Sequence, residues 1–421
     1  MAWALSPEEV LVDIPAFEDK LPTPGSFSPS LLKDIPSYPF INYDLNHITY
    51  QGDSTEFNQV FEKLDKMIFE GLGDLSVMHI GGSHVQAGIL SNRMRENLFT
   101  LGDGLKGERG FIFPYKLAHT NGPANFKVRY SGDWEGERCA HKKQHCDWGL
   151  SGYCAHTHDT LSHVKIWSFN TDSVNYYFNR VKIFHDMGPD VFSMSLDSGL
   201  VSTFITHDSI AQYTKYELTN WSDTLWLKFE KTDSLQHRFK IKGVQFENDE
   251  GGITYHSVGV NGASVPSYLR CDNFAIQLES VMPDLVIFGI GINDAYGPTA
   301  NFSQRNFEAN YDSLIAKIRA VNPNAQLLFL TNNDSYYKRR YANKNAIKVR
   351  AGMLSLAQRH DGAVWDLFNI MGGLNSVKYW EAAGLAKRDK VHFTRQGYTL
   401  QADLMYHAFQ EAYGNYLEAN Y

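Results

Sequence analysis

Ser83 lies in the stretch VMHIGGSHVQAGIL, where an apolar run ends in two glycines, a serine and a histidine before a helix-like segment. A serine there is either a nucleophile held on a sharp turn or the cap of the following helix. Ester hydrolysis by a serine needs an exposed hydroxyl, a base for its proton, a group to orient that base, and donors for the oxyanion. The segment RDKVHFTRQGY supplies Asp389 and His392. Three residues apart in one loop, they can set a carboxylate on one imidazole nitrogen and leave the other for serine. A second Asp-x-x-His, Asp44 and His47 in YDLNHI, falls in the N-terminal region and is read as structural. GIGIND offers Gly291, Asn293 and Asp294. Asn293 can donate an amide N–H to an oxyanion; the plain alternative is an Asn-Asp turn. HSVGVNGAS offers Gly259 and Gly262, whose N–H groups a substrate can approach closely, or which simply make a turn.

These residues need elements to hold them. LSVMHIGG, PDLVIFGIGIND, AQLLFLTNND and AVWDLF read as buried strands, and all but the last run into polar loops. Helical segments alternate with them: FNQVFEKLDKMIFEGLG, NFEANYDSLIAKIRAVNP, RYANKNAIKVRAGMLSLAQRHDG and TRQGYTLQADLMYHAFQEAYGNYL. Such alternation implies a parallel sheet with crossover helices, whose active residues sit at the carboxyl ends of the strands. Ser83, Asn293 and the TNND loop lie at such ends.

Between 160 and 245 the texture changes to short period-2 segments. Leu225, Leu227 and Phe229 alternate with Trp226 and Lys228, and Phe239 and Ile241 alternate with Arg238, Lys240 and Lys242. This predicts an inserted antiparallel β-sandwich. The expected organisation is an extended N-terminal wrap over 1–60, a catalytic domain over 61–159 and 246–421, and the insert over 160–245.

The 421 residues carry a net charge of −8 and no Lys/Arg-rich run, which argues against a nucleic-acid partner. No stretch approaches the roughly 20 apolar residues of a membrane span. The first residues, MAWALSPEEVLVDIPAFED, lack the basic and apolar regions of a signal peptide. The stretch CAHKKQHCDWGLSGYCAHTHD holds three cysteines, Cys139, Cys146 and Cys154, and four histidines. It has no Cys-x-x-Cys pair, so a disulfide of unreadable connectivity is favoured over zinc, and no metal or cofactor is expected.

In this order, IGGSHVQ, GVNGA, GIND and DKVHF resemble the blocks of the SGNH (GDSL-type) serine hydrolases, over about 75–159 and 246–410. The resemblance implies a three-layer α/β/α, flavodoxin-like core. It implies Ser83 as nucleophile, His392 as base and Asp389 as its orienter. The oxyanion donors would be the Ser83 and Gly262 N–H groups and the Asn293 side chain. Gly82 stands where the family usually has Asp. The inserted β-domain and the GSHVQAG stretch resemble the peptidoglycan O-acetylesterases, and that resemblance implies a carbohydrate-binding insert over 160–245. By that branch His84 and Asp294 are candidates for the substrate pocket, and Gly110 and Gly152 are backup donors. The implied activity is removal of O-acetyl or other small acyl groups from a polysaccharide, without cofactor, in a periplasmic or extracellular setting. The alternatives are a carbohydrate-binding protein with a degenerate hydrolase core, for which Gly82 is the motive, and a lipase or thioesterase on the same fold.

Overall fold

A computed structural model of the protein describes residues 35–52, 54–168 and 176–421. At its centre the strands Gly252–Gly259, Asp74–Gly81, Leu285–Gly289, Gln326–Leu330 and Ala363–Trp365 lie side by side in that order, all parallel. Numbered along the chain this is 2-1-3-4-5, the flavodoxin-like doubly wound order. Ile48–Tyr50 adds an antiparallel edge strand against Ala363–Trp365. Alternate residues of each strand point to opposite faces, so an almost wholly apolar strand can feed two cores. Leu285 and Ile287 pack with the helices Ser54–Asp65, Ile89–Leu98 and Arg395–Asn420. Val286 and Phe288 pack with the helices Gln304–Val321 and Asn345–Arg359 on the other side.

Apart from the short antiparallel pair Tyr336–Tyr337 and Tyr341–Ala342, the remaining strands form two antiparallel sheets. One holds Ser202–Asp208, Tyr213–Ser222, Phe178–His185, Phe239–Glu247, Tyr153–Thr157 and Glu135–Arg138, with Gly110–Ile112 joined to Phe239–Glu247. The other holds Phe126–Tyr130, Leu161–Ser168, Thr224–Glu230 and Ser193–Leu196. Four of these strands precede residue 160, and three of them, Gly110–Ile112, Phe126–Tyr130 and Tyr153–Thr157, pair with Phe239–Glu247 or Leu161–Ser168. The pairing therefore crosses the expected boundary. Of the expected N-terminal wrap, residues 1–34 and 53 lie outside the described residues. The rest holds a single 3-10 turn at Tyr43–Leu45, the edge strand and the first turns of Ser54–Asp65.

The period-2 reading places its apolar side chains correctly: Leu225, Leu227, Phe229, Phe239 and Ile241 are all buried. It misplaces Lys242, which the alternation assigns to solvent. Lys242 is fully buried because Asp147 and Asp186 pair with its ammonium, the latter at 2.8 Å. An ion pair of this kind lets a charge leave water. Among the described residues no helix is long and apolar enough to cross a membrane.

Candidate active site

The parallel order reverses between Asp74–Gly81 and Leu285–Gly289, and the crevice outside such a reversal is where doubly wound sheets bind ligands. Ser83 follows the first of these strands and Asn293 the second. Ser83 opens the short helix Ser83–Gln86, whose cap position is Gly82 and carries no side-chain cap. The capping alternative therefore does not hold. As the first helical residue Ser83 has a backbone N–H without an intrahelical acceptor. Its hydroxyl lies 2.8 Å from His392 Nε2.

His392 Nδ1 is 2.9 Å from Asp389 Oδ2. With Nδ1–H donated to the carboxylate, Nε2 is left to accept from the serine. The loop that holds the pair is a local product of sequence. Asp389 Oδ1 accepts the N–H groups of Val391 and His392, both at 2.9 Å, closing an Asx-type turn. Lys390, at φ 57°, makes the left-handed step within it. Burial alone raises the Asp389 pKa. The backbone N–H and imidazole of His392, with the Val391 N–H, outweigh that and hold it below the ordinary carboxylate value. The side chains of His392 and Asp389 are 34% and 30% exposed, so the pair is open to a substrate.

The expected oxyanion donors gather around the same turn. Asn293 Nδ2 donates to the Ala263 carbonyl at 2.9 Å, which uses one of its two hydrogens and ties it to the Gly262 loop. Gly262 has φ +79°, a conformation that glycine adopts without strain, and it is exposed. A Cβ on Gly82 would lie 3.2 Å from Asn293 Nδ2 and 3.5 Å from the Ala263 carbonyl oxygen. Where the resembling family has Asp, this chain brings backbone close to the Asn293 amide. Gly259 has a packing reason of its own: a Cβ there would fall 2.2 Å from the Gln86 nitrogen.

Sequence reasoning missed Gln86, which is buried and joins two loops and a strand. Its Oε1 accepts the Asn261 N–H at 2.6 Å and the Tyr153 hydroxyl at 2.9 Å. Its Nε2 donates to the Asn121 carbonyl at 2.6 Å. The only signal was a glutamine three residues after the serine in an otherwise small and apolar stretch.

Other expected residues sit elsewhere than in an open pocket. His84 stacks on His392 with centroids 5.1 Å apart and planes at 23°, and its Nδ1 lies 2.9 Å from the Tyr398 hydroxyl. Burial, then the neighbouring His392, pushes its pKa down to about 3, so the ring is neutral. It also lines a small cavity of about 40 Å³ with His79, Asn332 and Gln401. The Asp294 carboxylate accepts the Val265 N–H, at 3.2 Å from each oxygen, at the start of the helix Val265–Leu269. Burial pushes its pKa up to about 7, against the lowering effect of that bond. The Gly152 N–H is engaged with the Gly149 carbonyl, and Gly110 lies in the strand paired with Phe246. Asp44 and His47 both precede the edge strand Ile48–Tyr50, Asp44 within the Tyr43–Leu45 turn and His47 just after it.

Cys146 and Cys154 form a disulfide, and Cys139 and Cys271 are free and buried. Among the described residues, Glu137 with these two bonded sulfurs is the one cluster of metal-ligand type, and no histidine of the stretch joins it. A disulfide sulfur offers no thiolate to a metal.

Residues 208–400 match the GDSL-like Lipase/Acylhydrolase family. The match includes Gly262, Asn293, Asp389 and His392 and leaves Ser83 outside it. Over that span, a little under half of the chain, the sequence is similar to this family of lipases and acylhydrolases, which supports a carboxylic ester hydrolase as its class. No curated relative matches the sequence. Among solved structures, one described as a peptidoglycan O-acetylesterase in action shares the fold across 87% of this chain and 99% of its own, at 20% identity and a TM-score of 0.67. An acetyl xylan esterase is similar over 37% of this chain and 81% of its own, at 22% identity and a TM-score of 0.29. A GDSL-like lipase from Bacteroides thetaiotaomicron covers 38% and 76%, at 19% identity and a TM-score of 0.30.

Proposed function

We propose that the protein is a serine esterase that removes O-acetyl groups from a polysaccharide, peptidoglycan among the candidates, outside the cytoplasm. The observation that carries this reading is the unbroken hydrogen-bonded line from Asp389 through His392 to the Ser83 hydroxyl. In it, Ser83 Oγ attacks the acetyl carbonyl carbon while His392 Nε2 takes the hydroxyl proton. Negative charge builds on the carbonyl oxygen. The Ser83 and Gly262 N–H groups and the second Asn293 amide hydrogen stabilise it there. The imidazolium returns the proton to the departing sugar oxygen. A water, deprotonated by His392, then attacks the acetyl-serine and frees acetate. Asp389 keeps the ring oriented and stabilises its charged form. His84 stays neutral against His392 and adds no competing positive charge.

The test is an acetate-release panel over O-acetylated peptidoglycan, acetylxylan and p-nitrophenyl acetate, with Ser83→Ala as control. Release by the wild type and none by the folded variant is expected. Equal release by both proteins would overturn the assignment of Ser83, and no release from any ester would favour a binding protein with a degenerate core.

A further inference from the structure

The outer face of the smaller antiparallel sheet carries a pattern that packing does not require. Its inward side chains, Val128, Val164, Ile166, Leu225, Leu227 and Phe229, fill the core. Outward, Arg129 pairs across the strands with Lys165, and Lys165 with Trp226. In the next row Lys127 pairs with Trp167. The Lys165 ammonium lies 5.4 Å from the Trp167 ring centre and 4.9 Å from that of Trp226. The Arg129 guanidinium lies 5.7 Å from Trp167. Cations and indoles thus alternate on a solvent-facing sheet, in a chain whose net charge is −8.

A groove of about 340 Å³ runs along this edge, between Lys127, Arg129 and Trp167 on one side and Lys116, Thr120 and Gly122 on the other. Among the described residues no carboxylate lines it. Such a groove concentrates positive potential, and its indole offers a flat apolar surface. Its far wall is attached to the candidate active site. Asn121 takes hydrogen bonds from Gln86 at 2.6 Å and from the Asn261 side chain at 2.7 Å. Gln86 belongs to the Ser83 helix, and Asn261 precedes Gly262.

We infer that this groove binds a carboxylate-bearing polysaccharide, with Lys116, Lys127 and Arg129 pairing its carboxylates and Trp167 supporting a sugar ring. A strand held there leads past Asn121 to Ser83, so the groove presents acetylated units of an acidic polymer to the esterase site. This rests on the polysaccharide esterase reading above. The carboxylates can sit on the sugar ring or on a peptide attached to it, and both present the same charge to the three cations.

The full-length Ser83→Ala protein tests this by binding, independently of turnover. Polygalacturonate represents ring carboxylates, peptidoglycan sacculi represent peptide carboxylates, neutral xylan is the uncharged control, and poly(dT) is a generic polyanion. One or both carboxylated glycans should bind, more weakly as salt is raised, with xylan at least about tenfold weaker. Lys127→Gln/Arg129→Gln should weaken that binding about tenfold or more, and Trp167→Ala should weaken it as well. Equal binding of xylan, poly(dT) binding as tight as the glycans, or full affinity in the substituted proteins would overturn the inference. Acetate release by the wild type without polygalacturonate or sacculus binding defeats only the groove. Glycan binding without any acetate release defeats only the esterase reading.

Discussion

Asp389 does two jobs with two oxygens, and they can be separated. Oδ1 holds the turn through the Val391 and His392 N–H groups, and Oδ2 holds the imidazole. In Asp389→Asn the carbonyl oxygen can keep the turn, while the new NH₂ faces Nδ1. That contact is tolerated only if Nδ1 gives up its hydrogen, which moves the proton to Nε2 and removes the acceptor for Ser83. The expected result is a fall in kcat of at least about a hundredfold, on the scale of general-base catalysis, with thermal stability nearly unchanged. Steady-state kinetics and a melting curve on the same sample check it. A large drop in Tm, or kcat within a few fold of wild type, would count against this division of labour.

At the scale of elements, the site is held by contacts between segments far apart in the chain. Gln86 ties the Ser83 helix to Asn261, Tyr153 and Asn121. Gln86→Leu leaves the Asn261 N–H and the Tyr153 hydroxyl without their acceptor, and the loop bearing Gly262 loses its fixed position. A donor displaced from the oxyanion costs more in the transition state than in the bound ester. Hence kcat should fall by roughly 10²-fold, with KM for p-nitrophenyl acetate changing much less. A change confined to KM would place Gln86 in substrate binding instead. Asp294 tests a second junction, where its carboxylate meets the start of Val265–Leu269. Its pKa, raised from 3.8 to about 7 by burial, means that the folded state keeps a proton the unfolded chain has lost. The group's contribution to stability is fullest below the unfolded pKa and is lost as pH rises towards 7. Asp294→Asn keeps an acceptor for Val265 and removes that loss. The Tm difference, variant minus wild type, should therefore be more positive at pH 8 than at pH 5. A difference independent of pH would mean Asp294 is already ionised at pH 5.

The same contrast explains what could be read in advance. Asp389 and His392 are legible because their geometry is local, three residues in one turn. The strands ending at Ser83 and Asn293 are legible from apolar runs broken by glycine. Gln86 is not legible, since its meaning lies in partners at 121, 153 and 261. The early strands were hidden for a related reason. Phe126 and Val128 do alternate with Lys127 and Arg129. Their partner strand begins at Leu161, beyond a stretch rich in glycine, histidine and cysteine whose own strands, Glu135–Arg138 and Tyr153–Thr157, join the other sheet. Lys242 reads as exposed because alternation counts polarity and knows nothing of Asp147 and Asp186.

Across the whole molecule, the antiparallel sheets and the α/β core are not separate bodies joined by linkers. One continuous apolar core contains Met78, Ile80 and Phe288 of the parallel sheet together with Phe111, Phe184, Val244 and Phe239 of the antiparallel one. The Gly110–Ile112 strand is the joint. Ile112 pairs with Val244, the Phe111 ring meets the Phe184 ring edge-on at 5.5 Å, and the Phe111 N–H donates to His256 Nδ1 at 2.9 Å. His256 lies on the parallel strand Gly252–Gly259. Burial pushes its pKa down to about 3, so Nδ1 stays an acceptor at neutral pH. A shared core of this kind couples the two parts, because neither keeps its apolar face covered once the other opens. Calorimetry should therefore show one transition, with calorimetric and van't Hoff enthalpies equal and an enthalpy near 0.7 kcal/mol per ordered residue at about 60 °C. Phe111→Ala empties a site between the sheets and should lower the single Tm without dividing it, at a cost of about 3–5 kcal/mol. Two resolved transitions in the wild type, or a variant in which only one part melts early, would show that the antiparallel sheets fold on their own. The groove beside Trp167 would then be tied to the Ser83 site by the hydrogen bonds of Gln86 and Asn261 to Thr120 and Asn121, without a shared core behind them.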